Sequence, residues 1–309
     1  MIYDTILDAV GHTPLVRLNR LAPEGGAQIF AKCEGLNVGG SIKTRTAFAM
    51  VRDAEEKGLL APDSILVEPT SGNQGVGLAL VGAVRGYRVV IVMPDSVSEE
   101  RRRLVTHYGA EVVLIHDAGD IGACIRACIA EAERMRREDP RVFVPGQFDN
   151  PANPEVHRTE TALEILEDAG GIRIDGFCSG IGTGGTVTGI GEVLKQANPE
   201  TVVWAVEPEN AAILSGGAIG THLQMGIGDG LIPAVLNRDV IDRVCVIGDG
   251  EAIGTAKALA EKEGILCGIS SGTNVAAAVR MAKELGAGKT VVTVLPDTGE
   301  RYFSTPLFE

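Results

Sequence analysis

Hydrophobic positions along the chain change their spacing in a regular way. Short runs that are apolar almost throughout, such as Arg88-Val89-Val90-Ile91-Val92-Met93, alternate with longer stretches whose apolar residues return every three or four positions. The first kind reads as strand buried on both faces, the second as amphipathic helix. A short amphipathic helix is predicted over 2–10, ended by Gly11 and Pro14. Leu15-Val16-Arg17-Leu18 and Gln28-Ile29-Phe30-Ala31-Lys32 are strand candidates flanking a Pro-Gly turn region, and a helix over 44–57 ends at Gly58.

Strand Ile65-Leu66-Val67-Glu68 then opens a strict alternation. Helices are predicted over 74–85, 98–107 and 120–137, between strands at 88–93, 111–115 and 142–144. From Pro151 the pattern restarts with helix 155–168, strand 176–178, helix 185–196 and strands 201–206 and 243–247. Helix 250–263, a Gly-Ile-Ser-Ser-Gly turn at 268–272, helix 273–285 and strand 290–295 complete it. Parallel strands need crossovers of this length, so the fold class is α/β, with two doubly wound, mostly parallel sheets. The restart divides the chain into 1–150 and 151–309, with the strands at 15–32 fitting either sheet. Residues 215–230, rich in glycine and poor in regular signals, read as a long functional loop near the surface.

Composition narrows the partners. With 28 basic against 41 acidic side chains the net charge is -13, which repels nucleic-acid phosphates and anionic lipid surfaces. The start, Met1-Ile2-Tyr3-Asp4-Thr5, lacks the features of a signal peptide, and no apolar run reaches about 18 residues. A soluble cytoplasmic protein is expected. The six cysteines read as core thiols of a reducing compartment; Cys124 and Cys128 share a helical face but have no further ligands beside them. His12, His107, His116, His157 and His222 are scattered without metal-ligand spacing. Arg101-Arg102-Arg103 reads as a solvated helix face, and neither Ser71 nor Ser271 lies in a nucleophile elbow.

Three stretches carry candidate chemistry. Lys43 follows Asn37-Val38-Gly39-Gly40-Ser41-Ile42 and opens a helical pattern. On its own such a lysine is a surface group. Thr70-Ser71-Gly72-Asn73-Gln74-Gly75 and Gly182-Thr183-Gly184-Gly185-Thr186 are donor-rich loops at strand-to-helix junctions, where backbone N–H groups can cradle a carboxylate or a phosphate. The second loop also reads as a glycine turn for close packing, and it lacks the dinucleotide register. A lysine, a phosphate cradle and hydroxyl or amide groups for a heteroaromatic ring together suit pyridoxal phosphate held as a Schiff base. Asn73 suits the ring hydroxyl, and Thr298, after the last strand, a ring nitrogen left largely neutral; Asp297 beside it would instead hold that nitrogen protonated.

Longer motifs extend this reading. Gly11-His12-Thr13-Pro14-Leu15, Pro69-Thr70-Ser71-Gly72-Asn73, Phe148-Asp149-Asn150-Pro151-Ala152-Asn153-Pro154, Gly264-Ile265-Leu266-Cys267-Gly268-Ile269-Ser270-Ser271-Gly272 and Pro296-Asp297-Thr298-Gly299-Glu300-Arg301-Tyr302 occur in order. Through them nearly the whole chain resembles the cysteine synthase (O-acetylserine sulfhydrylase) family, within the fold type II, tryptophan-synthase-β-like pyridoxal phosphate enzymes. The resemblance implies a Schiff base on Lys43 and a substrate-carboxylate loop of Thr70, Ser71, Asn73 and Gln74, faced by Gln147. It implies a phosphate cradle of Gly182, Thr183, Gly184, Gly185 and Thr186, a ring-nitrogen hydroxyl at Thr298, and a flanking loop containing Gly228. The implied reaction is replacement at the β-carbon of O-acetyl-L-serine by sulfide, through an α-aminoacrylate, to give L-cysteine. A homodimer that docks the carboxyl-terminal peptide of serine acetyltransferase is also implied.

The chain departs from the family pattern at Thr44, at Gln74, over 158–163 and at Asp229. Asp229 adds negative charge near the expected pocket mouth and favours a cationic or amine-bearing second substrate over free hydrosulfide. Cystathionine or lanthionine synthesis, cysteine desulfhydration, use of serine or O-phosphoserine, and a non-catalytic role bound to serine acetyltransferase are the alternatives. The end at Glu309 argues against an appended regulatory module. A nicotinamide-dependent oxidoreductase would need a proper dinucleotide loop.

Overall fold

The computed structural model describes residues 2–309. In chain order its elements are β1 (Leu15–Leu18), β2 (Gln28–Cys33), α1 (Lys43–Glu56), β3 (Ile65–Pro69), α2 (Asn73–Arg85), β4 (Arg88–Pro94), α3 (Glu99–His107), β5 (Glu111–Ile115), α4 (Ile121–Glu138) and β6 (Val142–Phe143). There follow α5 (Ala152–Val156), α6 (Ala162–Asp168), β7 (Gly176–Gly180), α7 (Gly185–Ala197), β8 (Val202–Pro208), β9 (Arg243–Ile247), α8 (Asp249–Ala258), α9 (Ile269–Leu285) and β10 (Thr290–Leu295).

The strands form two sheets. One has the order β5-β4-β3-β6 and is parallel throughout; the other has the order β1-β2-β10-β7-β8-β9 and is parallel except for the β1–β2 pair. The early strands therefore join the sheet built mainly from the second half, where β2 runs beside β10. The side chains of β4 show why the smaller sheet needs helices on both faces. Val89, Ile91 and Met93 pack against α1 and α2, while Val90 and Val92 face Cys124 and Cys128 of α4. Each such fully buried side chain contributes about 1.5–3 kcal/mol through removal from water. In the larger sheet α8 and α9 cover one face and α6 and α7 the other.

Several predicted bounds shift for local reasons. The expected helix over 2–10 is a single 3₁₀ turn, Ile6–Ala9, capped by Thr5 and Asp8 and stopped by extended backbone at Val10. The helix expected from 155 begins at Ala152, because Pro154 is tolerated in a first turn whose N–H groups have no intrahelical acceptor. It runs through a π turn at His157–Thr161 into α6. The Gly-Ile-Ser-Ser-Gly segment is the first turn of α9 and not a separate turn. Arg101 is buried, contrary to its reading as solvated surface: it stacks on Tyr302 and donates to the Tyr302 hydroxyl (2.8 Å) and the Ser71 carbonyl (3.3 Å). Its position one turn before buried Val105 puts it on the inner face of α3. All six cysteines are buried and unpaired. Among the described residues, no helix is long and apolar enough to cross a membrane.

Candidate active site

Four helices start at one cavity between the sheets. Lys43 is the first residue of α1, Asn73 of α2 and Gly185 of α7, and Ser270 is the second of α9. The cavity wall includes Lys43, Thr70, Ser71, Asn73, Gln74, Gln147, Gly182, Thr183, Gly184, Thr186, Asp229 and Ser270. Each helix start presents unpaired N–H groups and the positive end of a dipole, so the cavity favours anions at more than one point. It also lies at the carboxyl ends of β3 and β7, where open α/β sheets place ligands.

Lys43 is half-buried, with Nζ 3.3 Å from Thr183 Oγ1. Burial lowers its amine to about 8, against the opposing pull of the Asp229 and Glu68 carboxylates. The loop it faces has little freedom. Asn153 donates to the Gln147 carbonyl (2.7 Å) and to Thr183 Oγ1 (2.9 Å), locking the opposite wall to the glycine loop. Gly184 has φ +79°, and a Cβ there would lie 2.8 Å from Leu236 Cδ1, so the turn that opens α7 requires glycine. Among the described residues, the N–H groups of Gly182, Thr183 and Gly184 have no backbone acceptor. Both polar atoms of the buried Gln74 amide also lack partners. A phosphate on the glycine loop and a carboxylate at the start of α2 fit these unspent donors.

Asn73 is held at both ends of its amide. Nδ2 donates to Asp297 Oδ2 (2.6 Å) and Oδ1 accepts from Arg301 (2.5 Å), leaving one amide hydrogen to give. Asp297 also accepts from Tyr302 (2.6 Å) and does not line the cavity. Thr298, expected to meet a ring nitrogen, is not among the residues that line it either. Its methyl packs against Gly35 and Gly40, because the chain after β10 bridges back to Ser41 and Cys267. At the start of α9, Ser270 lines the cavity in its place. Gly185 stands behind the cavity wall as the first residue of α7, and Gly228 lines an adjoining cavity instead.

Glu68, Asn153 and Ser270 were not singled out by sequence pattern. A lone acid in the otherwise apolar Ile65-Leu66-Val67-Glu68-Pro69 was the available signal for Glu68. This fully buried carboxylate accepts from the N–H groups of Gly146 (2.9 Å) and Gln147 (3.1 Å), and so fixes the segment that carries the Gln147 side chain. Burial raises it from 4.5 to about 7, against those two hydrogen bonds and the Lys43 charge. The native state therefore binds this proton more tightly than the unfolded chain does. The stabilisation is complete below 4.5 and is lost as pH rises through about 7. Melting temperature should then fall between about pH 5 and 8, and Glu68→Gln should flatten that fall. Parallel slopes for the two proteins would show instead that the carboxyl ionises normally.

A family model described as pyridoxal-phosphate dependent enzyme matches residues 6–297. A cysteine synthase of Staphylococcus aureus is 46% identical over 305 residues, spanning 99% of this chain and 97% of that protein. The chain belongs to the cysteine synthase family of pyridoxal-phosphate dependent enzymes. Two solved structures of similar proteins extend the comparison. A cysteine synthase (OASS) from Entamoeba histolytica has a TM-score of 0.93 and 39% identity, covering 100% of this chain and 91% of that one. An O-ureido-L-serine synthase has a TM-score of 0.95 and 45% identity, covering 100% and 96%. Pyridoxal phosphate is the cofactor, and the fold is that of the fold type II enzymes. The unspent donors at Gly182–Gly184 and the amine at Lys43 suit such a group in a cysteine synthase-family cavity.

Proposed function

We propose that the protein replaces the acetyloxy group of O-acetyl-L-serine with sulfide, giving L-cysteine and acetate. The observation that carries this reading is the shared cavity: a partly desolvated lysine, a carboxylate loop and a phosphate loop face one another across it. Pyridoxal phosphate supplies, when bound, an aldehyde for a lysine amine and an electron sink for a carbanion at the substrate α-carbon. Lys43 would hold its aldehyde end, the loop from Gly182 to Thr186 its phosphate, and Asn73 and Ser270 its ring. Thr70, Ser71, Asn73 and Gln74 take the substrate carboxylate at the start of α2, with Gln147 opposite.

Lys43 Nζ is the proton carrier, taking the α-proton and returning one before release. An amine near 8 exists partly as free base at neutral pH, which such a role requires. Ile125, Phe148, Met225 and Ile227 in the cavity wall exclude water from the reacting carbon. Mixing the holoenzyme with O-acetyl-L-serine, with and without sulfide, tests the reading through acetate and cysteine. Absence of both with intact cofactor would overturn it.

Ser270→Ala is expected to shift the absorption of the bound cofactor and weaken its affinity by about tenfold, the loss of one hydrogen bond in a buried site. Thr298→Ala should change both little. The opposite pattern would return the ring-nitrogen role to Thr298.

The resemblance also supports a homodimer in a reducing, cytoplasmic setting, to which six buried free thiols conform. The donors at the start of α2 would equally take the terminal carboxylate of a serine acetyltransferase peptide, which would then compete with O-acetyl-L-serine. A second reading, with a nucleophile other than sulfide, is favoured by the presence of Asp229 in the cavity wall and by the similarity to an O-ureido-L-serine synthase.

A further inference from the structure

Arg101 is a buried cation to which the reaction above gives no part. It is 1% exposed, on the inner face of α3, and its partners among the described residues are neutral. Nη2 donates to the Tyr302 hydroxyl (2.8 Å), Nη1 to the Ser71 carbonyl (3.3 Å), and the guanidinium carbon lies 5.1 Å from the centre of the Tyr302 ring. Its Nε has no partner at all among the described residues. Ring and hydroxyl ease its burial but cancel none of its charge. A buried guanidinium ordinarily has a carboxylate beside it, as Arg45 has in Glu34 at 2.9 Å and Glu164 at 2.6 Å.

What lies beside Arg101 is the loop assigned to the substrate carboxylate. A Cβ at Gly72 would stand 2.9 Å from Nη1 and 3.1 Å from the guanidinium carbon, so glycine there lets the cation lie flush against the loop. Gly72 lines the reaction cavity, whereas Arg101 lines an adjoining one, so the charge stands behind the loop. Two hydrogen bonds carry its influence across. The Ser71 carbonyl and the Gly72 N–H belong to one peptide group, and that N–H donates to Thr70 Oγ1 (3.2 Å). A cation on the carbonyl polarises the peptide and strengthens its N–H as a donor. Thr70, its oxygen engaged as acceptor, becomes in turn a stronger donor of its own proton into the cavity it lines. The charge also acts through space: burial raises the Asp229 carboxyl, against the charges of Lys43, His222 and Arg101.

The cation is held in place from the far end of the chain. Ser98 donates to the Arg301 carbonyl (3.2 Å), and Glu100 accepts from the N–H (3.0 Å) and hydroxyl (2.8 Å) of Ser304, which anchors the head of α3. Tyr302 gives its own proton to Asp297 (2.6 Å), and Asp297 also accepts from Asn73 (2.6 Å). One tyrosine thus ties the cation to both sides of the loop, at Ser71 and at Asn73.

We propose that Arg101, on the β-replacement reading above, is a specificity-determining positioning residue. Its uncompensated guanidinium selects substrates with an ionised α-carboxylate, acting through the Ser71–Gly72 peptide and the Thr70 hydroxyl, and Tyr302 keeps it against the loop.

The test titrates holoenzyme with L-alanine and with L-alaninamide and reads binding from the cofactor absorption. The two share an amine, differ in the charge of the carboxyl end, and carry no leaving group. Wild type should prefer alanine. Arg101→Met, neutral and of similar length, should lower the ratio of the two affinities by about tenfold or more, the loss of a hydrogen bond from a charged donor. Arg101→Lys, which keeps the charge but not the fork, should retain part of the preference. Comparing variants cancels the difference in basicity between the two ligands. With O-acetyl-L-serine, Arg101→Met should raise KM about tenfold and change kcat less. Equal weakening of both ligands would assign Arg101 a merely structural role, and an unchanged ratio would remove its charge from recognition; either overturns the inference. Tyr302→Phe, which keeps the ring but removes the hydroxyl, should lower the ratio about threefold, the loss of one ordinary hydrogen bond. Should Arg101→Met fail to fold, an unchanged ratio in Tyr302→Phe and Arg101→Lys alike would overturn the inference in its place. Acetate release from O-acetyl-L-serine judges the β-replacement reading separately, because the alanine preference can be read whether or not that release occurs.

Discussion

Replacing Lys43 with alanine is expected to lower acetate release from O-acetyl-L-serine by about 10³-fold or more, the upper range for removal of a positioned proton carrier. Borohydride treatment of wild-type holoenzyme should leave a reduced cofactor adduct on the peptide containing Lys43, and the variant should show none. The expectation rests on geometry, because the amine faces the glycine loop through Thr183 at 3.3 Å and shares its cavity with the carboxylate loop. It rests also on electrostatics. Burial holds the amine near 8 in place of its ordinary 10.5. In cofactor-stripped protein, the rate of aldehyde capture at this residue should therefore rise with pH through a midpoint near 8, since only the neutral amine attacks. Lys43→Arg, which keeps a charge but has no amine to condense, should fail as completely as alanine. Turnover within tenfold of wild type, or an adduct mapped to another lysine, would remove Lys43 from the centre of the chemistry.

The order of elements was legible because strand and helix periods differ so plainly here. The run from Val89 to Met93 admits only a strand covered on both sides, and the glycine loops at 70–75 and 182–186 mark the ends of strands where ligands collect. The position of Lys43 at the head of a helix was legible for the same reason. What pattern left open was decided by contacts distant in sequence. Thr298 and Ser270 are both hydroxyls next to a strand or helix end, and only the bridges Ser41 to Asp297 and Cys267 to Thr298 turn the first away from the cavity. The Gly268–Gly272 segment looked like a turn from its glycines. Gly272 instead lies inside α9 where α8 crosses closely: a Cβ there would come within 2.0 Å of the Ala252 carbonyl oxygen. Arg101 looked like solvated charge, but Tyr302, some 200 residues later, supplies the ring and hydroxyl that make burial tolerable.

The same long-range logic governs a buried charge network behind Lys43, where the largest stability effect is expected. Arg45, two residues after Lys43 on α1, is 1% exposed and Glu34 is 0% exposed. Arg45 grips Glu34 with two parallel hydrogen bonds of 2.9 Å and Glu164 of α6 with two more, of 2.6 and 2.7 Å. Lys32, wholly buried on β2, adds a contact to Glu164 at 2.9 Å, and Thr13 donates to Glu34 at 2.6 Å. Burial alone would raise the Glu164 carboxyl, but Arg45 and Lys32 overcome it and hold the group near 2. Its contribution is thus present above about pH 4.5 and lost as pH falls toward 2. Arg45→Met would leave Glu34 buried without its guanidinium partner and should cost about 3–5 kcal/mol, lowering the melting temperature by on the order of 10 °C. Arg45→Lys, which keeps the charge but not the planar fork, should lose less. Arg45→Met combined with Glu34→Leu should recover much of the stability, because the penalty comes from the charge left behind and not from the absence of the pair. A single Arg45→Met variant as stable as wild type would show that solvent reaches Glu34 in solution, and that the network does not hold α1, and Lys43 with it, in place.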